Sequence, residues 1–141
     1  MYDPAALPGF LAADPAALDA ACAALHRVEP TVCGPAALAT WGLEPAAGAE
    51  GTFVLSRVVR CSSGRVGDRR VAQSMHADPR ALAVLLPPFA AVTADAHGAT
   101  MVADSMGFRQ LFHSDPAASG PPVLSTSALL AARVRGMRLD E

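Results

Sequence analysis

Asp104 and Arg109, opposite charges on one short loop, form the clearest chemical pairing in the chain. A carboxylate and a guanidinium so placed can make a bidentate pair that fixes the loop between them. Gly107 lies between the two, where a positive backbone φ meets no Cβ penalty. The pattern predicts a stabilised loop beside a domain interface rather than a substrate site.

Other reactive side chains are scattered. His26, His76, His97 and His113 have no second ligand three or four positions away, so no metal site is expected. Ser125 and Ser127 lack a Gly-x-Ser-x-Gly setting and read as helix-capping residues. Ser62-Ser63-Gly64-Arg65-Val66-Gly67 is neither a phosphate loop nor a dinucleotide fingerprint; a hairpin turn accounts for it. Cys22, Cys33 and Cys61 are odd in number and widely spaced, which suits reduced thiols in a cytoplasmic protein better than a disulfide framework.

Composition narrows the classes further. The 141 residues suffice for one domain with its own core. Hydrophobic residues make up 52% but aromatics only 5%, so Ala, Val and Leu must build that core. All 11 basic residues are arginine, a mark of a GC-rich bacterial genome. A net charge of -2 speaks against nucleic acid as a partner. Arg57, Arg60, Arg65, Arg69 and Arg70 are read as a solvated strand face. No apolar run approaches the roughly 18 residues that span a bilayer, and Met1-Tyr2-Asp3-Pro4 carries no positive signal region.

Local signals place the elements. Asp14-Pro15 predicts a helix start, with Leu18, Cys22 and Leu25 along one face to about His26. Ala36 to Trp41 is a strand candidate, and Leu43 to Gly51 a proline-glycine-alanine loop. Thr52 to Cys61 reads as a strand, Ser62-Ser63-Gly64 as a turn, and Arg65 to Met75 as a returning strand. Asp78-Pro79 opens a helix through Leu82, Leu85 and Leu86, which Pro87-Pro88 ends. A hairpin follows in Phe89–Asp95 and Gly98–Val102, and a last helix starts near Ser125 or Ser127 and ends at Gly136. Leu139-Asp140-Glu141 reads as the first step into a further helix. Repeated Asp-Pro-x-Ala-Leu motifs at 3–7, 14–18 and 78–82 are unequally spaced and reflect repeated helix-start chemistry, not a solenoid.

The stretch Val102-Ala103-Asp104-Ser105-Met106-Gly107-Phe108-Arg109-Gln110-Leu111-Phe112 resembles the arginine-aspartate-proline-leucine-glycine-x-arginine-proline-leucine-tyrosine loop of the glutaminase domain in asparagine synthetase-type amidotransferases. Asp104, Gly107, Arg109, Leu111 and Phe112 are the matching positions. In that family a hairpin precedes the loop, and a phenylalanine-alanine-serine-glutamate strand with a short helix follows it. Val123-Leu124-Ser125-Thr126-Ser127-Ala128-Leu129-Leu130 occupies the latter place. The resemblance covers about the last third of the chain. It implies an α/β (α+β) fold, an N-terminal nucleophile (Ntn) hydrolase-like αββα sandwich with mostly antiparallel sheets, over residues 1–141 as a single domain.

The family's glutaminase chemistry does not carry over. Its nucleophile is a cysteine freed at position 2, with the α-amine as base. Tyr2 stands here, a phenol with a pKa of about 10 and no evident base. Cys22, the nearest thiol, sits inside a predicted helix. Nothing between Phe53 and Met75 matches the family's asparagine-glycine-glutamate substrate loop. His26-Arg27 keeps the first pair of a histidine-arginine-glycine-proline-aspartate segment, and Arg27 reads as a basic residue in a last helical turn.

The resemblance therefore implies a non-catalytic domain at the N-terminal part of a larger asparagine synthetase-like enzyme. Asp104, Gly107, Arg109, Leu111 and Phe112 form its structural loop and interface; no catalytic or metal-binding residue is assigned. Lasso-peptide cyclases and β-lactam synthetases of actinobacterial type are such enzymes: they adenylate a carboxylate and close an amide without ammonia. No cofactor is expected in this domain, and ATP with magnesium belongs to the synthetase domain. Partners would be that domain, in cis or trans, and for a lasso cyclase a precursor peptide and leader-processing proteins. Two alternatives stand beside this reading: a stand-alone interaction module of the same fold, and an Ntn hydrolase whose nucleophile appears after processing. A domain of this kind is expected to carry an apolar patch near residues 104–113 and the C-terminal helix.

Overall fold

Side chains alternate across a strand, so each strand here serves two cores at once. The computed structural model describes residues 6–23, 25, 31–33, 38–56, 58–95, 98–114 and 122–137, with the side chains of 31–33 outside that description. In chain order the elements are β1 (Gly9–Ala12), α1 (Pro15–Cys22), β2 (Thr31–Cys33), β3 (Leu38–Trp41), β4 (Pro45–Ala46), β5 (Ala49–Val54), β6 (Val59–Cys61) and β7 (Gly64–Val66). There follow α2 (Asp68–Ala77), a 3₁₀ helix (Pro79–Val84), β8 (Ala90–Asp95), β9 (Gly98–Ala103), β10 (Phe112–His113), β11 (Leu124–Ser125) and α3 (Ala128–Val134). The chain is a mixed α/β structure on antiparallel sheets: one of five strands ordered β10-β11-β1-β3-β2, one of four ordered β4-β5-β8-β9, and the β6–β7 hairpin.

Phe10 and Ala12 of β1, with Leu38, pack against Phe53 and Val92 of the four-stranded sheet. Leu11, Ala39 and Trp41 face the other way, onto Leu18, Ala21 and Leu25 at α1 and Leu130 of α3. In the four-stranded sheet Ala91 and Val54 turn outward to Val71 and Met75 of α2 and to Leu82 and Leu85. Each sheet thus shares an apolar face with the other and gives its opposite face to helices.

Helix starts follow the capping residues. The Asp14 carboxylate accepts from the Ala16 N–H at 3.0 Å, and Asp78 likewise from Arg80 at 3.0 Å. Gly136, at φ +66°, ends α3: its N–H reaches the Arg133 carbonyl and the Met137 N–H reaches that of Ala132, the Schellman pattern.

Four expectations are corrected. Residues 65–75 are not a returning strand: pairing stops at Val66, and α2 begins at Asp68. Val71, Ala72 and Met75 all lie buried on one helical face. The expected strand 52–61 is two strands, β5 and β6, broken between Val54 and Val59. The expected loop 43–51 holds the β4–β5 hairpin, which Gly48 turns at φ +76°. The helix after Asp78 is 3₁₀. Tyr2, Arg27, Arg57, His26, His97 and residues 138–141 lie outside the described residues. Among the described residues, no helix is long and apolar enough to cross a membrane.

Candidate functional site

Asp104 follows β9 directly and is nearly buried. Its N–H donates to the Phe89 carbonyl at 2.8 Å, and the Phe89 N–H donates back to Oδ2 at 3.1 Å. Oδ1 accepts from the N–H groups of Met106 at 3.0 Å and Phe108 at 3.3 Å. The Gly107 N–H closes a β-turn onto the Asp104 carbonyl at 3.3 Å, and Gly107 itself sits at φ +69°. An aspartate opening a turn and a glycine at positive φ closing it are what this geometry requires. Burial disfavours the charged carboxylate, but the N–H groups of Phe89, Phe108, Met106 and Gly107 together outweigh it and hold the acid below its ordinary pKa range.

The loop residues divide between this turn and what lies beyond it. Arg109 is exposed and makes no ion pair with Asp104 among the described residues, which corrects the expected bidentate pair. Backbone amides of Phe89, Met106 and Phe108 bond that carboxylate instead. Leu111 is half-buried against the core between the sheets, and Phe112 belongs to β10. The turn leaves Met106 69% and Phe108 63% exposed, an arrangement that hydrophobicity alone disfavours.

Beyond the loop, β10 and α3 flank a groove of about 340 Å³ lined mainly by Phe112, Val123, Ala128, Ala131, Ala132 and Met137, with His113 and Arg135 also present. Ser114 and Val123, both in its lining, bond each other: the Ser114 N–H donates to Val123 O and its Oγ accepts from Val123 N, both at 3.0 Å. This is the region where an apolar patch was expected.

The remaining reactive groups sit elsewhere. Ser125 is fully buried; its hydroxyl donates to Phe10 O at 3.0 Å and accepts from the Ser127 N–H at 2.9 Å. Ser127 caps α3. Thr52 and Thr93 are cross-strand partners with hydroxyls 2.8 Å apart, and His76 Nε2 stands 3.3 Å from Thr52 Oγ1. Sequence spacing gave no sign of that contact, because it joins a helix to a sheet. Both hydroxyls are buried, so a substrate carbonyl has no path to them. Burial, then the Asp19 charge, raises the Cys22 thiol. Cys61 is the reverse: hydrogen bonding from Ser63, then the Ser63 and Gly64 amides and Arg70, lowers it against a small burial effect. Among the described residues no group of three His, Cys, Asp or Glu could hold a metal ion.

No family model matches this chain, and no curated protein or solved structure matches it.

Proposed function

We propose that this chain is a glutaminase-like domain without amide-hydrolysing chemistry, serving as a docking platform for an ATP-dependent, asparagine synthetase-like domain. The observation that carries the reading is the Asp104 turn, whose carboxylate holds the Met106 and Phe108 amides while both side chains stand exposed, in the stretch of chain that leads into the apolar groove of β10 and α3. Large apolar side chains left exposed on a hydrogen-bonded turn suit a surface that meets a partner. The helix, sheet, sheet, helix order of packing supports the Ntn-hydrolase-like sandwich. The parent enzyme would adenylate a carboxylate with ATP and magnesium in its synthetase domain. It would close an amide in lasso-peptide or β-lactam biosynthesis, in the first case acting on a precursor peptide.

Incubation with glutamine and an ammonia readout tests the loss of chemistry. No release above background is expected, since Tyr2 replaces the nucleophilic cysteine. Turnover that survives Cys22→Ala but vanishes on changing Tyr2 would overturn the reading.

A further inference from the structure

The β6–β7 hairpin carries a surface that the Asp104 turn does not use. Val59, Cys61 and Val66 pack inward on the second core, so alternation puts Arg60 and Arg65 on the opposite, exposed face. The register sets Arg60 directly across from Arg65. Like charges so opposed are unfavourable, and neither has an acidic partner among the described residues. On the far side of β6, Leu86 bridges Arg60, its N–H donating to Arg60 O at 2.7 Å. Leu86 is 47% exposed, and Val58, two residues before Arg60, is exposed as well. The exposed face therefore reads Leu86, Arg60, Arg65 in a row across the ribbon.

That row ends at an open edge. Among the described residues β7 pairs with β6 alone, leaving the other side of Gly64–Val66 free to take a further strand. We infer that this edge takes up an extended, acidic segment of a partner protein. A strand added beside β7 places one of its residues directly opposite Arg65, in line with Arg60. An aspartate or glutamate there relieves the arginine pair and can meet a guanidinium through two hydrogen bonds. Its neighbours in the segment point to the Val66 side, where apolar residues suit. A peptide backbone satisfies the strand edge, which a phosphodiester or a bilayer surface does not. This inference stands whether or not the synthetase reading holds.

The test is fluorescence anisotropy of a labelled, alternating valine-glutamate pentapeptide titrated with the full chain. Saturable binding that weakens with salt is expected. An Arg60→Glu/Arg65→Glu variant should lose at least about tenfold in affinity and should gain binding to the valine-lysine pentapeptide that the parent chain refuses. An Arg60→Gln/Arg65→Gln variant, which adds no charge, gives the same loss if charge reversal disturbs folding. The inference is overturned by no binding, by binding that ignores these substitutions, or by tighter binding to phosphatidylserine vesicles or a single-stranded oligonucleotide.

Discussion

Ser125→Ala isolates the contact that ties the two ends of the described chain together. The Ser125 hydroxyl joins β1 to the start of α3, donating to Phe10 O and accepting from the buried Ser127 N–H. Alanine leaves the Phe10 carbonyl with the Thr126 N–H at 3.1 Å and the Thr126 hydroxyl at 3.4 Å. It leaves the Ser127 N–H with nothing in exchange. One net hydrogen bond contributes about 1 kcal/mol, and a stranded buried amide costs about 1–3 kcal/mol, so the loss should be about 2–4 kcal/mol. For a chain of this size each kcal/mol moves Tm by roughly 4 °C, giving a fall of about 8–16 °C. Thermal melts by circular dichroism, backed by urea midpoints, read it directly. A fall under about 2 °C would mean that the hydroxyl is not engaged as described. The same result would reopen Ser125 as a chemically free group.

Four further outcomes are expected. Thr40→Val should raise stability by about 1 kcal/mol in urea unfolding, because the buried Thr40 hydroxyl has no hydrogen-bond partner among the described residues; a loss would refute that. Gly9→Ala should cost about 1–3 kcal/mol or prevent folding, since its Cβ would collide with Thr126 Oγ1 and stand 2.7 Å from the Trp41 ring. Arg109→Ala should leave unfolding free energy within about 0.5 kcal/mol of the parent, whereas Gly107→Val should cost about 1–2 kcal/mol at φ +69°. Asp104 titrates below the ordinary aspartate range, so its stabilising share is present above the unfolded pKa and lost as pH falls through the folded one. The Tm gap between parent and Asp104→Asn should therefore be full near neutrality and shrink below about pH 4; a gap independent of pH would contradict this.

Much of this arrangement was legible in the residues, and the failures have physical causes. Asp14-Pro15 and Ser127 announced their helices because capping is a contact between near neighbours in sequence. The 89–103 hairpin was legible from two apolar runs around a glycine. The segment 65–75 misled because Arg65 and Val66 do pair as a strand before Gly67 lets the chain turn into α2, and no side chain caps that helix. Gly107 was legible as a positive-φ bend, whereas Asp104 was read only as the partner of Arg109 and instead accepts the amides of its own turn. The Arg109 pairing was not excluded by sequence, because an amide competes for a carboxylate only once the turn has closed. The Thr52–Thr93–His76 contact needed the register of β5 on β8 and the seating of α2, which no local pattern carries.

The most direct test of the docking role is calorimetric titration of this chain with an asparagine synthetase-like synthetase domain taken from the same genome. Saturable binding is expected, weakened at least about tenfold by Met106→Glu/Phe108→Glu while the melt of that variant stays at the parent value. Absence of binding, or binding indifferent to those two substitutions, would contradict the account.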